Sequence, residues 1–343
     1  MRDYLLAFAA AMVVAYFITP LVEIFAIKVG VVDVPSERKV HAEPIPRLGG
    51  IAIYLAFLLT LIWFVVIERE LAGILLGGTL MLILGIIDDI WDLSPKVKFS
   101  GQLLAALILL FYGIQIEFVG NPLGGLIYLG GWSLPLTLFW VVGLTNTVNF
   151  IDGLDGLAAG VCGIALLTLS FSAHQTGHID IAFICLILAG SALGFLKHNF
   201  NPARIFMGDS GSMFLGFMLG AITVQGVMKS IAAIALLVPL VVMGVPIFDA
   251  GFAIFRRYKN KQPVTQADDG HIHHRLLRRG FSHRQTVIIL YLWCFMLSAA
   301  ALALRFASPQ VKIVVFVCLA ILSFFFERYI GIFDEFREKI ERK

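Results

Sequence analysis

The sequence predicts an all-α integral membrane protein of about eleven transmembrane helices, N-terminus outside and C-terminus cytosolic. Three observations predict it. Of the 343 residues, 59% are hydrophobic and only 14% charged, more apolar surface than a soluble domain can hide. The apolar residues gather in runs of about 17–25, the length that crosses a bilayer as a helix. The Lys and Arg residues collect in alternate connections, which fixes an orientation.

The first run, 4–27, is longer than the apolar stretch of a typical signal peptide. It lacks an Ala-x-Ala-like site near its end, so it reads as a retained helix. Further spans fall near 49–67, 71–87, 100–116, 133–150, 157–173, 181–196, 211–227, 230–250, 286–304 and 311–328. With the N-terminus outside, only Arg2, Arg69, Lys229, Arg305 and Lys312 of the 26 Lys and Arg face outward. The longest connection, 251–285, is a cytosolic His/Arg-rich loop too short to be a separate domain. Residues 1–343 therefore read as one polytopic domain, without internal repeats or low-complexity tracts. The net charge of +3 is mostly this topology signal. The inward basic excess also suits anionic lipid or nucleotide. The four cysteines stand singly in apolar spans and read as small hydrophobes without metal spacing.

The orientation puts three acidic clusters on one membrane face. Asp88-Asp89 close the third span. Adjacent carboxylates repel, so a bound cation or a raised pKa is expected there; a polar helix end in headgroup water is the bland alternative. Ser94-Pro95 then reads as an N-cap followed by Pro at the first helical position. Lys96 and Lys98 lie in that opening turn, where cations oppose the helix dipole. A nearby phosphate explains them, and so does an ordinary surface pair.

The second cluster runs from Thr145 to Gly156. Asn146 and Asn149 are three apart, as are Asp152 and Asp155, and helical or turn geometry puts each pair on one face. The sixth span then begins with backbone N–H groups facing the cytosol, a natural phosphate site. The third cluster follows Asn199 and places Asp209 where the eighth span begins, either as a ligand or as a helix cap. Phe206, in the polar loop before it, suits either stacking on a base or anchoring at the interface. His271-Ile272-His273-His274-Arg275 lies in the long inner loop. It has no Cys partner and no His-Glu-x-x-His spacing, so recognition of phosphate oxygens fits better than zinc. A solvated basic loop is the other account. Asp249 is placed to pair with Arg256 or Arg257.

Taken in order, these segments resemble the polyprenyl-phosphate N-acetylhexosamine-1-phosphate transferases over nearly the whole chain. The resemblance is carried by Asp33-x-Pro35-x-x-Arg38-Lys39-x-His41, Pro46-Arg47-Leu48-Gly49-Gly50, Asn149–Gly160, Val245-Pro246-Ile247-Phe248-Asp249 and His271–Leu276. It is nearest to the TagO and WecA branch. The MraY branch, which transfers phospho-MurNAc-pentapeptide, normally shows Gly-Thr-Pro-Thr-Met-Gly-Gly and Pro-Ile-His-His-His-Phe, which this chain lacks.

The resemblance implies transfer of GlcNAc-1-phosphate from UDP-GlcNAc to undecaprenyl phosphate, at the cytosolic face of a bacterial plasma membrane. This would be the first membrane step of teichoic-acid or another envelope glycopolymer. It implies Mg²⁺, with Mn²⁺ as a substitute, held by Asp209 and Asn149. It implies a uridine pocket lined by Asp155, Asn199 and Phe206, and a lipid phosphate beside Asp88, Asp89 and Lys96. His273, His274 and Arg275 would hold the sugar-diphosphate, Asn146 would join the substrate side, and Asp152 would serve either the metal or the fold. The bilayer is the expected partner and nucleic acid is not; a homodimer is an open alternative. An ion-coupled transporter is the competing class, since intramembrane carboxylates also form relays. Transporter carboxylates usually lie near the midplane, often with inverted repeats. Here they gather at one face.

Overall fold

The computed structural model describes residues 2–34, 44–120, 125–229 and 272–303, with scattered helical positions between 311 and 325. Its helices are α1 (Arg2–Lys28), α2 (Gly49–Phe64), α3 (Arg69–Trp91), α4 (Pro95–Phe111), α5 (Ser133–Ile151), α6 (Leu157–Gln175), α7 (Ile179–Asn199), α8 (Gly208–Lys229), α9 (Ile272–Arg278) and α10 (His283–Ala303). Among the described residues, six helices are long and apolar enough to span a membrane: α1, α3, α5 with the 3-10 turn before it, α6, α7 and α10. The chain is thus an all-α membrane protein. The expected spans 230–250 and most of 311–328 lie outside the described residues, as do Arg38, Lys39, His41, Asp249 and His271.

Helix α8 is the hub. It packs on α3, α5 and α2, and Met213, Phe214, Leu215, Phe217, Met218, Leu219, Ala221, Ile222 and Val224 are all buried. A helix apolar on every side has to lie inside the bundle. On the other flank, α1 lies along α7. Its buried stripe is small, Ala7, Ala11, Ala15 and Thr19, and Gly190 and Gly194 of α7 face its backbone at Phe8 and Met12. Small residues let helices approach where lipid gives no hydrophobic drive. The opposite face of α1 exposes Leu5, Leu6, Val13, Phe17, Leu21, Ile24 and Phe25, which suits acyl chains.

The structure moves the fourth expected span. Helix α4 occupies Pro95–Phe111 rather than 100–116. Ser94 takes the N-cap position with extended backbone, although its hydroxyl makes no capping bond, and Pro95 begins the helix. At the other end Gly113 adopts φ +86°. Its N–H bonds Leu110 O, and the Ile114 N–H bonds Leu109 O at 2.8 Å. This Schellman closure ends the helix, and Ile114 buries its side chain beside it.

Two short antiparallel ribbons, absent from the helical expectation, also occur. Strand β1 (Val32–Asp33) pairs with β2 (Ile45–Pro46), and β3 (Phe118–Gly120) with β4 (Leu126–Tyr128). The first ribbon matters for the site. Phe206 N–H donates to Pro46 O at 2.8 Å, while Gly49 and Gly50 N–H donate to Phe206 O and Met207 O. The chain entering α2 is thereby stitched to the chain entering α8.

Candidate active site

The end of α3 builds the floor of the site. The expectation leaves Asp88-Asp89 at a helix terminus; α3 instead continues to Trp91, so both carboxylates lie in its last turns and are buried. Asp88 Oδ1 accepts the Leu93 N–H at 2.7 Å, and its other oxygen pairs with the Lys98 ammonium. Asp89 accepts the N–H of Asp209 at 2.8 Å and of Ser210 at 3.1 Å. It therefore caps α8 from another helix, satisfying donors that a helix start leaves open. Gly208, at φ +72°, makes the approach possible, because a Cβ there would run into the Asp89 carboxylate.

Asp209, in the first turn of α8, is the carboxylate left open to the cavity. Its side chain is 23% exposed, against 1% for Asp88 and 0% for Asp89. Lys98 Nζ lies 3.2 Å from its Oδ2, and the Asn149 amide contacts its Oδ1 and reaches Ser212 Oγ at 2.9 Å. Three helices, α4, α5 and α8, thus meet at one carboxylate. Lys98 spans Asp88 and Asp209, while Lys96 is exposed on the same turn. Arg47 faces Asp33 at 3.6 Å and Asp89 at 3.9 Å.

Above this floor opens a cavity of about 900 Å³, lined among others by Arg47, Asn149, Asp152, Asp155, Phe206 and Asp209. That is ample for a molecule of nucleotide-sugar size. Asp152 follows the last turn of α5. Burial, with the charges of Asp209 and Asp89 adding, holds its carboxyl well above the ordinary carboxylate range. Asp155 Oδ2 accepts from Asn201 Nδ2 at 2.9 Å and Ala203 N–H at 3.1 Å. Its own N–H donates to His283 Nε2 at 2.9 Å. Asn199, buried at the cavity wall, accepts from Gly156 N–H and donates to Ile205 O, both at 3.0 Å.

Those bonds correct one expectation. The first N–H groups around α6 are not all left for a phosphate, because Gly156 N–H is taken by Asn199 and Leu157 N–H by Leu154 O. Asn146 does not line the cavity; it pairs with Gln102 one turn below. Arg275 is buried on α9. The backbone of His273 and His274 lies in α9, and their side chains are outside the described residues. The sequence names Lys98 together with Lys96 but assigns only Lys96 to the lipid phosphate, and it does not single out Arg47, His283 or Gln102 as site residues. Lys98 and Gln102 stand four apart, one helical face, which is the signal that could have found them.

The donor set suits a hard divalent ion of the magnesium kind. Such an ion is held by one or two carboxylates and completes its shell with water and substrate phosphate. Asp209 offers an open carboxylate, and rotating the Asn149 amide would turn an oxygen to the same point. No group of three or more His, Cys, Asp or Glu among the described residues is set to hold a metal.

Comparison with known proteins agrees with this architecture. Residues 71–227 match the model for glycosyl transferase family 4. A Bacillus subtilis protein named "Probable undecaprenyl-phosphate N-acetylglucosaminyl 1-phosphate transferase" is 41% identical over 96% of this chain and 92% of its own. The decaprenyl-phosphate N-acetylglucosaminephosphotransferase of Mycolicibacterium smegmatis is 38% identical over 90% and 84%. The undecaprenyl-phosphate alpha-N-acetylglucosaminyl 1-phosphate transferase of Escherichia coli K12 is 27% identical over 88% and 84%. Matched nearly end to end by such relatives, the chain belongs to glycosyl transferase family 4, alongside the polyprenyl-phosphate N-acetylglucosamine-1-phosphate transferases.

Proposed function

We propose that this enzyme transfers GlcNAc-1-phosphate from UDP-GlcNAc to undecaprenyl phosphate and releases UMP, opening the synthesis of teichoic acid or another envelope glycopolymer. The observation that carries the reading is the meeting of Lys98 and Asn149 on Asp209, a carboxylate open to a cavity of about 900 Å³.

A phosphate oxygen of the lipid attacks the β-phosphorus of the sugar nucleotide. The bond from that phosphorus to the bridging oxygen breaks, and its electron pair leaves with UMP. The lipid phosphate has a second pKa of about 6, by analogy with phosphorylated side chains, so at neutral pH it is mostly a dianion and needs little help from a base. Direct in-line attack is therefore favoured over a covalent aspartyl intermediate. The obstacle is repulsion between anions, and charge screening is the main catalytic requirement. Lys98, beside Asp209, and Arg47, on the cavity lining, supply fixed positive charge. Asp88 acts through Lys98, and Asp89 by holding the start of α8. Mg²⁺, when bound at Asp209 and Asn149, supplies further neutralisation of the diphosphate. Asp155 and Phe206 are assigned to the uridine side.

The basic-residue pattern supports eleven spans with this floor on the cytosolic face of a bacterial plasma membrane. The relatives' names differ in lipid length, so the undecaprenyl acceptor is part of the proposal. The test is UMP release by the detergent-purified protein. UDP-GlcNAc with undecaprenyl phosphate should be turned over, and UDP-MurNAc-pentapeptide should not. Turnover of the pentapeptide nucleotide alone would replace the proposed substrate. Ion flux in proteoliposomes without UMP release would favour the transporter.

A further inference from the structure

Lys98, Asn149 and Asp209 form a layer contributed by α4, α5 and α8. One helical turn deeper in the same helices stand Gln102, Asn146 and Met213, and these also touch. Asn146 Nδ2 donates to Gln102 Oε1 at 2.7 Å, and Gln102 Nε2 donates back to Asn146 Oδ1 at 3.3 Å. Gln102 Nε2 also reaches Met213 Sδ at 3.7 Å, and Asn146 Nδ2 ties back to Val142 O at 2.8 Å. Gln102 is only 3% exposed, and neither amide lines the cavity.

A reciprocal amide pair is a register device. If α4 slides along α5, both bonds break together, and an apolar seam offers no water to replace them. The residues it registers are one turn away on each helix, Lys98 on α4 and Asn149 on α5, and both must reach the same carboxylate. We infer that Gln102 and Asn146 are positioning residues, a clamp between α4 and α5 that sets Lys98 and Asn149 on Asp209. The consequence for catalysis rests on the transferase reading; the positioning itself does not.

Lys96 provides an internal control for the test, because it lies two residues from Lys98 and is exposed. Detergent-purified wild type, Gln102→Leu, Asn146→Leu and the exchanged pair Gln102→Asn/Asn146→Gln are treated with an amine-acetylating reagent. Mass spectrometry then reads each lysine's rate. Lys98 should react about two- to fivefold faster in the single variants, the worth of loosening a partly exposed ion pair, with Lys96 unchanged. The exchanged pair, which keeps both amides, should return Lys98 towards the wild-type rate. In parallel, kcat for UMP release should fall about tenfold with KM for the sugar nucleotide unchanged, as misplacement of reacting groups predicts. An unaltered Lys98 rate in both single variants would overturn the inference. Should one single variant misfold, the other decides: a raised Lys98 rate supports the clamp, and an unaltered one overturns it. Absence of UMP release by the wild type would remove the transferase reading while leaving the Lys98 comparison to judge the clamp.

Discussion

Asp89 accepts the backbone N–H of Asp209 at 2.8 Å, so one carboxylate of the site holds the backbone of another. The two are 120 residues apart in sequence, at the end of α3 and the start of α8. Their exposures differ: Asp89 is shut away from solvent and Asp209 opens to the cavity. This division of labour separates a fold-bearing aspartate from a chemistry-bearing one.

Replacing Asp89 should therefore cost stability first. Asp89→Ala leaves two buried N–H donors of α8 without their acceptor, at a cost of about 1–3 kcal/mol each. The expected result is a clear fall in melting temperature in detergent, together with lost activity. An unchanged melting temperature would mean that α8 finds another cap.

The two neighbouring lysines should separate. Lys98→Met removes the cation between Asp88 and Asp209 and should lower UMP release by a factor of about 10² or more, in the range of losing one strong electrostatic stabiliser. Lys96→Met should cost less, because Lys96 is exposed whereas Lys98 is paired with Asp88 and Asp209. Parallel turnover measurements on monodisperse protein check the order. The reverse order would move the working cation to Lys96.

Much of this is legible in the sequence, and the limits are physical. Hydropathy marks spans because crossing a bilayer demands apolar length, and the start of α4 is written in Ser94-Pro95. Its end is not, because the run beyond Phe111 stays apolar through Ile114 while Gly113 turns the chain. The acidic clusters stand out because carboxylates are costly in an apolar chain. Which aspartate caps and which stays open depends on how α3 meets α8, and no local pattern encodes that. Lys96 and Lys98 are equivalent as letters; only the packing of α4 on α3 and α5, which brings Lys98 to Asp88 and Asp209, chooses between them. Gln102 and Asn146 are single polar residues in separate spans, meaningful only once paired.

The orientation can be tested apart from the chemistry. Ile179 is exposed at the start of α7, at the end of the bundle opposite the cavity, and Arg279 is exposed after α9. With the cavity cytosolic, Ile179→Cys should react with an impermeant thiol reagent in intact cells. Arg279→Cys should react only after permeabilisation, each judged against the unsubstituted chain. The opposite labelling would put the cavity outside the cell.

The most direct measurement concerns Asp209. Asp209→Asn keeps the size of the side chain and removes the charge. The Asp89 bonds to the backbone of Asp209 and Ser210 do not involve the replaced group, so folding should survive. Mg²⁺-dependent UMP release from UDP-GlcNAc and undecaprenyl phosphate should fall by a factor of about 10²–10³ or more, in protein that melts like the wild type. Near-normal turnover with normal Mg²⁺ dependence in that variant would contradict the account, since Asp209 would then be only the first turn of a helix.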